Sequence, residues 1–233
     1  MVHKKIIAHR GASHDRRENT FESFDLAIHY GVDAIELDVQ QTLDQQLVVY
    51  HDKKLPTTNE TLISDVQYRV AKEILSTENV QLPLLSEVIE HFQGKTFFDI
   101  ELKEGVNPFH AVTITTSYLA TNEFQLKSFN VTQLEKIREI TKCINTALIL
   151  DYRWYPQIRL FKDIKKCNPN QIHLHWKEMI KYFNLLKWVK LPIWVWTIDS
   201  PEALCQFLID SRVEGIITNE PLRALNFRDL FSF

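Results

Sequence analysis

Glycine is scarce in this chain, with only five among its 233 residues. At the usual frequency of about 7%, a chain of this length would carry roughly 16 glycines. The hydrophobic and charged fractions, 45% and 24%, are those of an ordinary globular protein and exclude disorder. The few glycines are therefore informative, and three of them, Gly11, Gly31 and Gly215, lie inside the segments on which the chemistry below depends.

The chain also lacks the sequence marks of secretion and of membrane insertion. Its three cysteines, Cys143, Cys167 and Cys205, are odd in number, widely spaced and free of any C-x-x-C pattern. Its first residues lack the apolar core of a signal peptide, and no segment approaches the roughly 20 apolar residues of a membrane span. We therefore expect a cytoplasmic protein in a reducing environment.

Strong charge of one sign is missing as well. The formal net charge is −3, so nothing indicates a nucleic-acid partner. The basic residues are concentrated between positions 152 and 190, where nine Lys or Arg accompany two acids and several aromatic residues. Such a run is usually the solvated side of helices. The alternative is a weak peripheral contact with an anionic membrane surface.

What the chain does contain is a regular alternation of strand and helix patterns. Strands are predicted at 5–9, 34–40, 47–51, 96–103, 124–129, 145–150, 171–176, 192–199 and 214–219. Helices are predicted at 20–30, 84–92, 109–120, 132–141, 156–166, 178–189, 201–210 and 221–230. When the second and third strands are counted as one split unit, the chain has eight strand-then-helix units without a linker, which predict one domain, residues 1–233, folded as a single (β/α)8 TIM barrel. The polar, turn-rich segment 53–82 is predicted to be a loop that borders a pocket.

Two acids on one predicted strand point to a cation. Glu36 and Asp38 are two residues apart, so they lie on the same face of the strand, while Ile35 and Leu37 lie on the other. Two neighbouring carboxylates repel each other unless a positive charge lies between them, and a divalent metal is the usual solution. The active sites of such barrels lie at the carboxyl ends of the strands, where these acids fall.

Five short blocks surround this pair of acids in a fixed order. They are His9-Arg10-Gly11, Glu18-Asn19-Thr20, Gly31-x-Asp33-x-Ile35-Glu36-x-Asp38-Val39, Thr42-x-Asp44 and Val48-Val49-x-His51-Asp52. Together they resemble the opening of the glycerophosphodiester phosphodiesterase family. The resemblance implies a (β/α)8 barrel with a metal-dependent site at the strand ends.

The resemblance extends to a third acid. Ile100-Glu101-Leu102-Lys103 is similar to an I-E-x-K block of the family, which implies that Glu101 joins the other two carboxylates as a metal ligand. Three carboxylates without a cysteine favour a hard ion, Mg²⁺ or Ca²⁺. The alternative is a structural network in which Lys103 neutralises Glu101 inside the barrel.

By the same resemblance, His9 and His51 are the catalytic pair. An imidazole can act as base or acid near neutral pH, and displacement at phosphorus needs one of each. The resemblance leaves open which histidine is which. Our hypothesis is that His9 deprotonates the nucleophile, either a glycerol hydroxyl or water, and that His51 protonates the leaving alcohol. Arg10 and Lys103 are expected to contact the phosphate.

The later blocks are similar to the family but depart from it in places. Trp196 belongs to a W-T-x-N block and is expected to form an apolar wall for the glycerol carbons, with core packing as the alternative. Asp199 stands where that block usually has asparagine, and Asn219 stands where a following G-x-I-T-D-x-P block has its acid. An H-x-H pair, His173 and His175, is read as interior or pocket-mouth histidines rather than as a zinc site.

We therefore predict metal-dependent hydrolysis of small glycerophosphodiesters to sn-glycerol 3-phosphate and an alcohol. One alternative is a lysophospholipase D or a phospholipase C-like enzyme on lipid substrates, which needs an apolar groove at the rim. Another is a non-catalytic barrel that binds metal or phosphate. The full set of predicted catalytic and metal-ligating residues argues against this last reading.

Overall fold

The computed structural model describes residues 4–151, 159–177, 179 and 188–231. Within them nine strands form one sheet. In chain order these are β1 Lys5–Ala8, β2 Ala34–Gln41, β3 Leu47–Val49, β4 Phe97–Leu102, β5 Phe124–Ser128, β6 Asn145–Leu150, β7 Gln171–His175, β8 Ile193–Trp196 and β9 Gly215–Thr218.

Eight of these strands close into a parallel barrel. β1 pairs in parallel with both β9 and β2, and β2, β4, β5, β6, β7, β8 and β9 follow one another around the sheet. β3 pairs antiparallel to β2 and lies outside the ring. The predicted (β/α)8 barrel is confirmed. Several strands end one to three residues earlier than predicted, as β1 does at Ala8 and β8 at Trp196.

Helices connect successive strands and cover the barrel. They are α1 Phe21–Tyr30, α2 Tyr68–Thr77, α3 Leu85–Phe92, α4 Pro108–Tyr118, α5 Val131–Ile140, α6 Leu160–Cys167, α7 Pro201–Ile209 and α8 Pro221–Leu230. Side chains of Thr20, Asn107, Asn130 and Ser200 cap the starts of α1, α4, α5 and α7 by accepting hydrogen bonds from backbone N–H groups. Each capping residue immediately precedes its helix, so it fixes the residue at which that helix begins.

The interior of the barrel is apolar at its base and polar above. Ile7, Ala34, Trp194 and Ile217 form a buried cluster inside the ring. Trp194 fills the space beside Gly215, where an added Cβ would come within 2.7 Å of the indole ring. Along β2, the buried acids Glu36 and Asp38 follow Ala34 toward the carboxyl end of the strand.

The prediction of a loop over residues 53–82 is wrong. The segment contains a short 3-10 turn, Ile63–Asp65, and the helix α2. Apolar side chains from it and its flanks form a separate buried cluster, made of Val48, Leu55, Ile63, Ala71, Leu75 and Leu82. This cluster stabilises a folded layer beside β3. The segment lines a surface groove of about 950 Å³ against α1 and α3, and contributes nothing to the lining of the catalytic cavity described below.

Part of the basic run at 152–190 falls outside the described residues. Residues 152–158, 178 and 180–187 are among those not described, and they include most of the predicted helix 178–189 and several of the aromatic residues of the run. Two aromatic side chains in the described part, Phe161 and Trp188, are exposed. None of the helices in the described ranges combines the length and apolar character needed to cross a bilayer.

Candidate active site

The three predicted metal ligands come together at the junction of β2 and β4. The register of these strands places Glu36 beside Asp99 and Asp38 beside Glu101. One carboxylate oxygen from each of Glu36, Asp38 and Glu101 lies within 4.8 Å of the others, and all three residues are buried. Two acids two residues apart on one strand and a third on the neighbouring strand thus form one acidic centre.

The chemistry of this centre fits a hard divalent cation. Three carboxylates with no sulfur donor are the ligand set of Mg²⁺ or Ca²⁺. Glu36 Oε1 and Asp38 Oδ1 are buried oxygens whose charge is met by ammonium groups, that of Lys127 at 3.0 Å and that of Lys103 at 2.7 Å respectively. Buried carboxylate oxygens are costly unless something compensates their charge, so both oxygens are suited to a cation.

Two cations already lie against the acidic centre. Lys103 Nζ is 2.7 Å from Asp38 Oδ1 and also contacts Glu101 Oε1, and Arg10 Nε is 3.0 Å from Asp38 Oδ2. Burial by itself would raise the pKa of the Asp38 carboxyl, but Lys103 and Arg10 outweigh burial and hold that pKa well below its usual range. Asp38 is therefore ionised at neutral pH. The Lys103–Glu101 contact foreseen as an alternative is present together with the acidic cluster.

A third cation, Lys127, was not predicted from the sequence. Its Nζ lies 2.8 Å from Asp99 Oδ2 and 3.0 Å from Glu36 Oε1, and its side chain is 3% exposed. Burial alone would lower the pKa of Lys127, but Asp99, Glu36 and Glu101 raise it above its usual value, so the ammonium stays charged. The only sequence signal was the polar residue inside the apolar pattern of β5.

The loop after β1 shapes the site through its backbone. Arg10 has a φ of +57°, and its N–H donates to Glu36 Oε2 at 2.9 Å. Gly11 follows with a φ of +82° and packs so closely on Ser23 of α1 that an added Cβ would lie 2.6 Å from the Ser23 carbonyl carbon. The Arg10 guanidinium extends over the mouth to Glu18, with Nη1 2.9 Å from Oε2. The His-Arg-Gly block therefore depends on a glycine for both conformation and space.

His9 is oriented by a chain of hydrogen bonds at the rim. Its Nδ1 lies 2.7 Å from Asn219 Oδ1. The Asn219 amide is fixed because its Nδ2 donates to Asp199 Oδ2 at 2.7 Å and its backbone N–H donates to Asp199 Oδ1 at 2.8 Å. Asn219 Oδ1 must accept, so His9 Nδ1 carries the hydrogen and its Nε2 has the lone pair. The two departures from the family pattern, Asp199 and Asn219, thus bind each other.

His51 has a different partner. Its Nδ1 lies 2.8 Å from Asp52 Oδ1, and its side chain is 36% exposed. The Asp52 carboxylate can only accept when ionised, so the Nδ1 of His51 also carries the hydrogen. Both histidines therefore have Nδ1 engaged, and the Nε2 of each is the atom available for proton transfer.

One cavity of about 250 Å³ brings the predicted residues together. All of them line it except Asp38, which contacts the lining residues Arg10 and Lys103. Trp196 forms part of the wall, with its ring edge-to-face with Phe129 at a centroid distance of 5.8 Å. The lining residues that sequence reasoning missed are Lys127, Phe129, Ile149, Asp151 and Ile217.

The H-x-H pair lies inside the barrel, in agreement with the sequence prediction. His173 is fully buried and stacks on Trp194, and burial together with Lys127 lowers its pKa well below the usual value, so it is neutral. His175 packs edge-to-face against Trp196. In the described ranges, neither histidine belongs to a cluster of three potential metal ligands.

The fold and the site define a (β/α)8-barrel enzyme with a buried acidic centre and two histidines at its mouth. Comparison with known proteins identifies its family. Residues 9–223 match the model of the Glycerophosphoryl diester phosphodiesterase family. A glycerophosphodiester phosphodiesterase of Bacillus altitudinis is 31% identical over 245 residues, which cover 97% of this chain and 98% of that protein.

Solved structures agree with the family match. A glycerophosphodiester phosphodiesterase from Thermotoga maritima superposes with a TM-score of 0.82 at 25% identity, covering 98% of this chain and all of that one. An Oleispira antarctica phosphodiesterase, solved with the product sn-glycerol-3-phosphate, has the same fold, with a TM-score of 0.83 at 22% identity and coverage of 97% and 96%. The present chain belongs to the glycerophosphoryl diester phosphodiesterase family and is a phosphoric diester hydrolase.

Proposed function

We propose that this enzyme hydrolyses small glycerophosphodiesters to sn-glycerol 3-phosphate and an alcohol with the help of a divalent metal. The observation that carries the proposal is that His9, His51 and the acidic centre share one cavity, with both imidazole Nδ1 atoms engaged. The product bound to the Oleispira antarctica relative supports the glycerol phosphate half of the substrate.

Glu36, Asp38 and Glu101 would hold the metal ion. A cation bound there would polarise the phosphoryl oxygen and lower the pKa of the attacking hydroxyl. Arg10 and Lys103 would donate hydrogen bonds to the phosphate oxygens. Both line the cavity, and both are held in place by ion pairs with Asp38.

The two histidines divide the proton transfers. His9 Nε2 accepts the proton of the nucleophile, which is either a water molecule or the 2-hydroxyl of the glycerol. Water gives sn-glycerol 3-phosphate directly, whereas the 2-hydroxyl gives a cyclic phosphodiester that a water molecule then opens to sn-glycerol 3-phosphate. His51, protonated on both nitrogens, donates its Nε2 hydrogen to the leaving alcohol oxygen. Its Nδ1 keeps the other hydrogen and donates it in a hydrogen bond to Asp52. The amide partner of His9 and the carboxylate partner of His51 support this division, because a carboxylate stabilises a charged imidazolium better than an amide does.

The rim favours a polar alcohol over a lipid. A groove of about 480 Å³ continues from the cavity and shares Glu101, Lys103 and Phe129 with it. Most of its remaining lining is polar or charged, as contributed by Glu104, Ser128, Asn130, Arg159 and Asp163. An acyl chain needs a continuous apolar wall, and within the part of the rim that the structure describes Trp196 and Phe129 supply a short one. We therefore place lysophospholipids second as substrates.

Phosphorus NMR of the reaction mixture tests this proposal. We expect sn-glycerol 3-phosphate from glycerophosphocholine and glycerophosphoethanolamine, and little monoacylglycerol 3-phosphate from lysophosphatidylcholine. His51→Ala provides the control and should lower turnover by about 10²–10⁴-fold. Faster conversion of lysophosphatidylcholine than of either deacylated substrate would favour the lipid reading. No phosphomonoester from any of the three would reject both.

A further inference from the structure

Four buried polar residues beneath the catalytic cavity have no role in the mechanism above. Asp99, Gln125, Lys127 and His173 come from β4, β5 and β7, and none is more than 3% exposed. Inward positions of such barrels are usually filled by branched apolar side chains. Buried polar groups are costly unless each is paired, so a set of four in one layer calls for an explanation.

The four residues form a chain of contacts that ends on a metal ligand. Gln125 Nε2 lies 3.3 Å from His173 Nε2 and donates to Asp99 Oδ1 at 2.9 Å. Lys127 Nζ donates to Asp99 Oδ2 at 2.8 Å. The same ammonium lies 3.0 Å from Glu36 Oε1, which belongs to the acidic centre. Gln125 thus fixes the Asp99 carboxylate, and Asp99 fixes the position of Lys127.

Lys127 contacts its two acids in different ways. Its Nζ donates a hydrogen bond to Asp99 Oδ2 at 2.8 Å, and it lies 3.0 Å from Glu36 Oε1, with which it forms an ion pair. The other oxygen of Glu36 is held by the Arg10 backbone N–H at 2.9 Å. Glu36 is therefore oriented through its Oε2, while its Oε1 shares the Lys127 ammonium with Asp99.

We propose that Asp99 and Lys127 are a positioning pair that sets the affinity of the acidic centre for its metal. By sharing the Lys127 ammonium, Asp99 weakens its hold on Glu36, which leaves that carboxylate available to a divalent ion. The inference rests on the proposed metal site and adds two residues that act through Glu36. Lys127 competes with the metal for Glu36, and Asp99 limits that competition.

The proposal predicts opposite effects for the two halves of the pair. Without the Asp99 charge, Glu36 becomes the nearest carboxylate to Lys127, and the metal has to displace a fully engaged ammonium. Without the Lys127 charge, the competitor is gone. A residue that merely supports the fold would weaken metal binding whichever partner is changed.

Calorimetric titration with Mg²⁺ and with Ca²⁺, without substrate, measures this directly. We expect Asp99→Asn to weaken binding about tenfold and Lys127→Met to strengthen it about tenfold, the effect of roughly one pKa unit of interaction. The double variant should return to within about threefold of the wild type, because the two charges cancel. Asp33→Asn is the matched control. Like Asp99, Asp33 forms an ion pair with a cationic side chain, here that of Arg228, but it lies before β2 at the opposite end of the barrel.

Each outcome decides the inference. Weaker binding in both single variants, or no change in either, would overturn it. If Lys127→Met fails to fold, the isosteric Asp99→Asn decides alone, and binding as tight as in the wild type would overturn the inference. A wild type that binds neither ion would instead refute the proposed metal site.

Discussion

Asn219 and Asp199 show how two residues can depart from a pattern without losing its geometry. Each occupies a position where the resemblance leads one to expect the other residue type, and in the structure their side chains are bonded to each other at 2.7 Å. The exchange keeps one amide and one carboxylate at the rim, but it gives His9 the amide as its neighbour. The sequence alone suggested two unrelated changes because the residues are 20 positions apart.

The exchanged pair gives a prediction at this scale. Asn219→Asp would place two carboxylates in hydrogen-bonding contact and should lower the free energy of unfolding by about 1–3 kcal/mol, as expected when a partly buried polar group loses its partner. It should also lower kcat/KM, because the side chain that accepts the hydrogen bond from His9 is no longer held in place by Asp199. Urea unfolding and steady-state kinetics measure the two effects.

The double variant Asp199→Asn with Asn219→Asp is the control for that experiment. It restores one amide and one carboxylate, so we expect stability to recover to within about 1 kcal/mol of the wild type. A double variant no more stable than Asn219→Asp alone would show that the pair is not what supports the rim.

Single residues also show what sequence reasoning can and cannot supply. Glu36, Asp38 and Glu101 were found because strand alternation and a family block place them at the mouth, and the structure brings them together. Lys127 and Asp99 were missed as a pair because their contact depends on the register between β4 and β5, which the sequence does not display. The assignment of proton donor and acceptor remains a prediction.

At the scale of elements, the turn between β1 and α1 is the most constrained connection at the site. Gly11 and Gly31 both have φ values near +85°, yet only Gly11 faces a neighbour, since nothing lies within 4 Å of a Cβ added at Gly31. Replacement of Gly31 by a larger residue therefore changes only the backbone energy, whereas replacement of Gly11 also introduces a steric overlap.

Alanine substitutions at the two glycines test this difference. Gly31→Ala should cost about 1–2 kcal/mol of unfolding free energy, the price of a left-handed backbone for a residue with a Cβ. Gly11→Ala should cost a further 1–3 kcal/mol or so, since its Cβ would overlap Ser23. Denaturant unfolding of both variants gives the comparison. Equal costs would mean that the loop relaxes and that the close packing on α1 is not required.

Helix α2 is the element whose type was predicted incorrectly. Ala71 and Leu75 are one helical turn apart and face the small apolar cluster beside β3, so a helical signal was present. It was hidden by the polar composition of its surroundings and by the turn residues Pro56 to Asn59. Strand positions were better predicted, because alternating or continuous apolar runs mark them clearly.

At the scale of the molecule, the barrel divides into an apolar base and a polar upper interior. Trp194, Ile7 and Ala34 lie at the lower end, the Asp99–Lys127 pair lies above them at the floor of the cavity, and the acidic centre lies at the mouth. The repeated strand-then-helix pattern predicted this architecture because closure of eight parallel strands follows from the count of units. The part of the cavity lining that was missed, such as Lys127 and Ile149, could not be predicted, since it comes from strands whose neighbours are set by the register of the sheet.

We propose that catalysis depends on a divalent metal held by the carboxylates of Glu36, Asp38 and Glu101. Release of sn-glycerol 3-phosphate from glycerophosphocholine should be measured with one enzyme preparation before chelation, after removal of divalent ions, and after adding back Mg²⁺ or Ca²⁺. We predict that chelation lowers turnover about 100-fold or more and that one of the ions restores it. A chelated enzyme that keeps its original turnover would show that catalysis does not depend on a metal at this site.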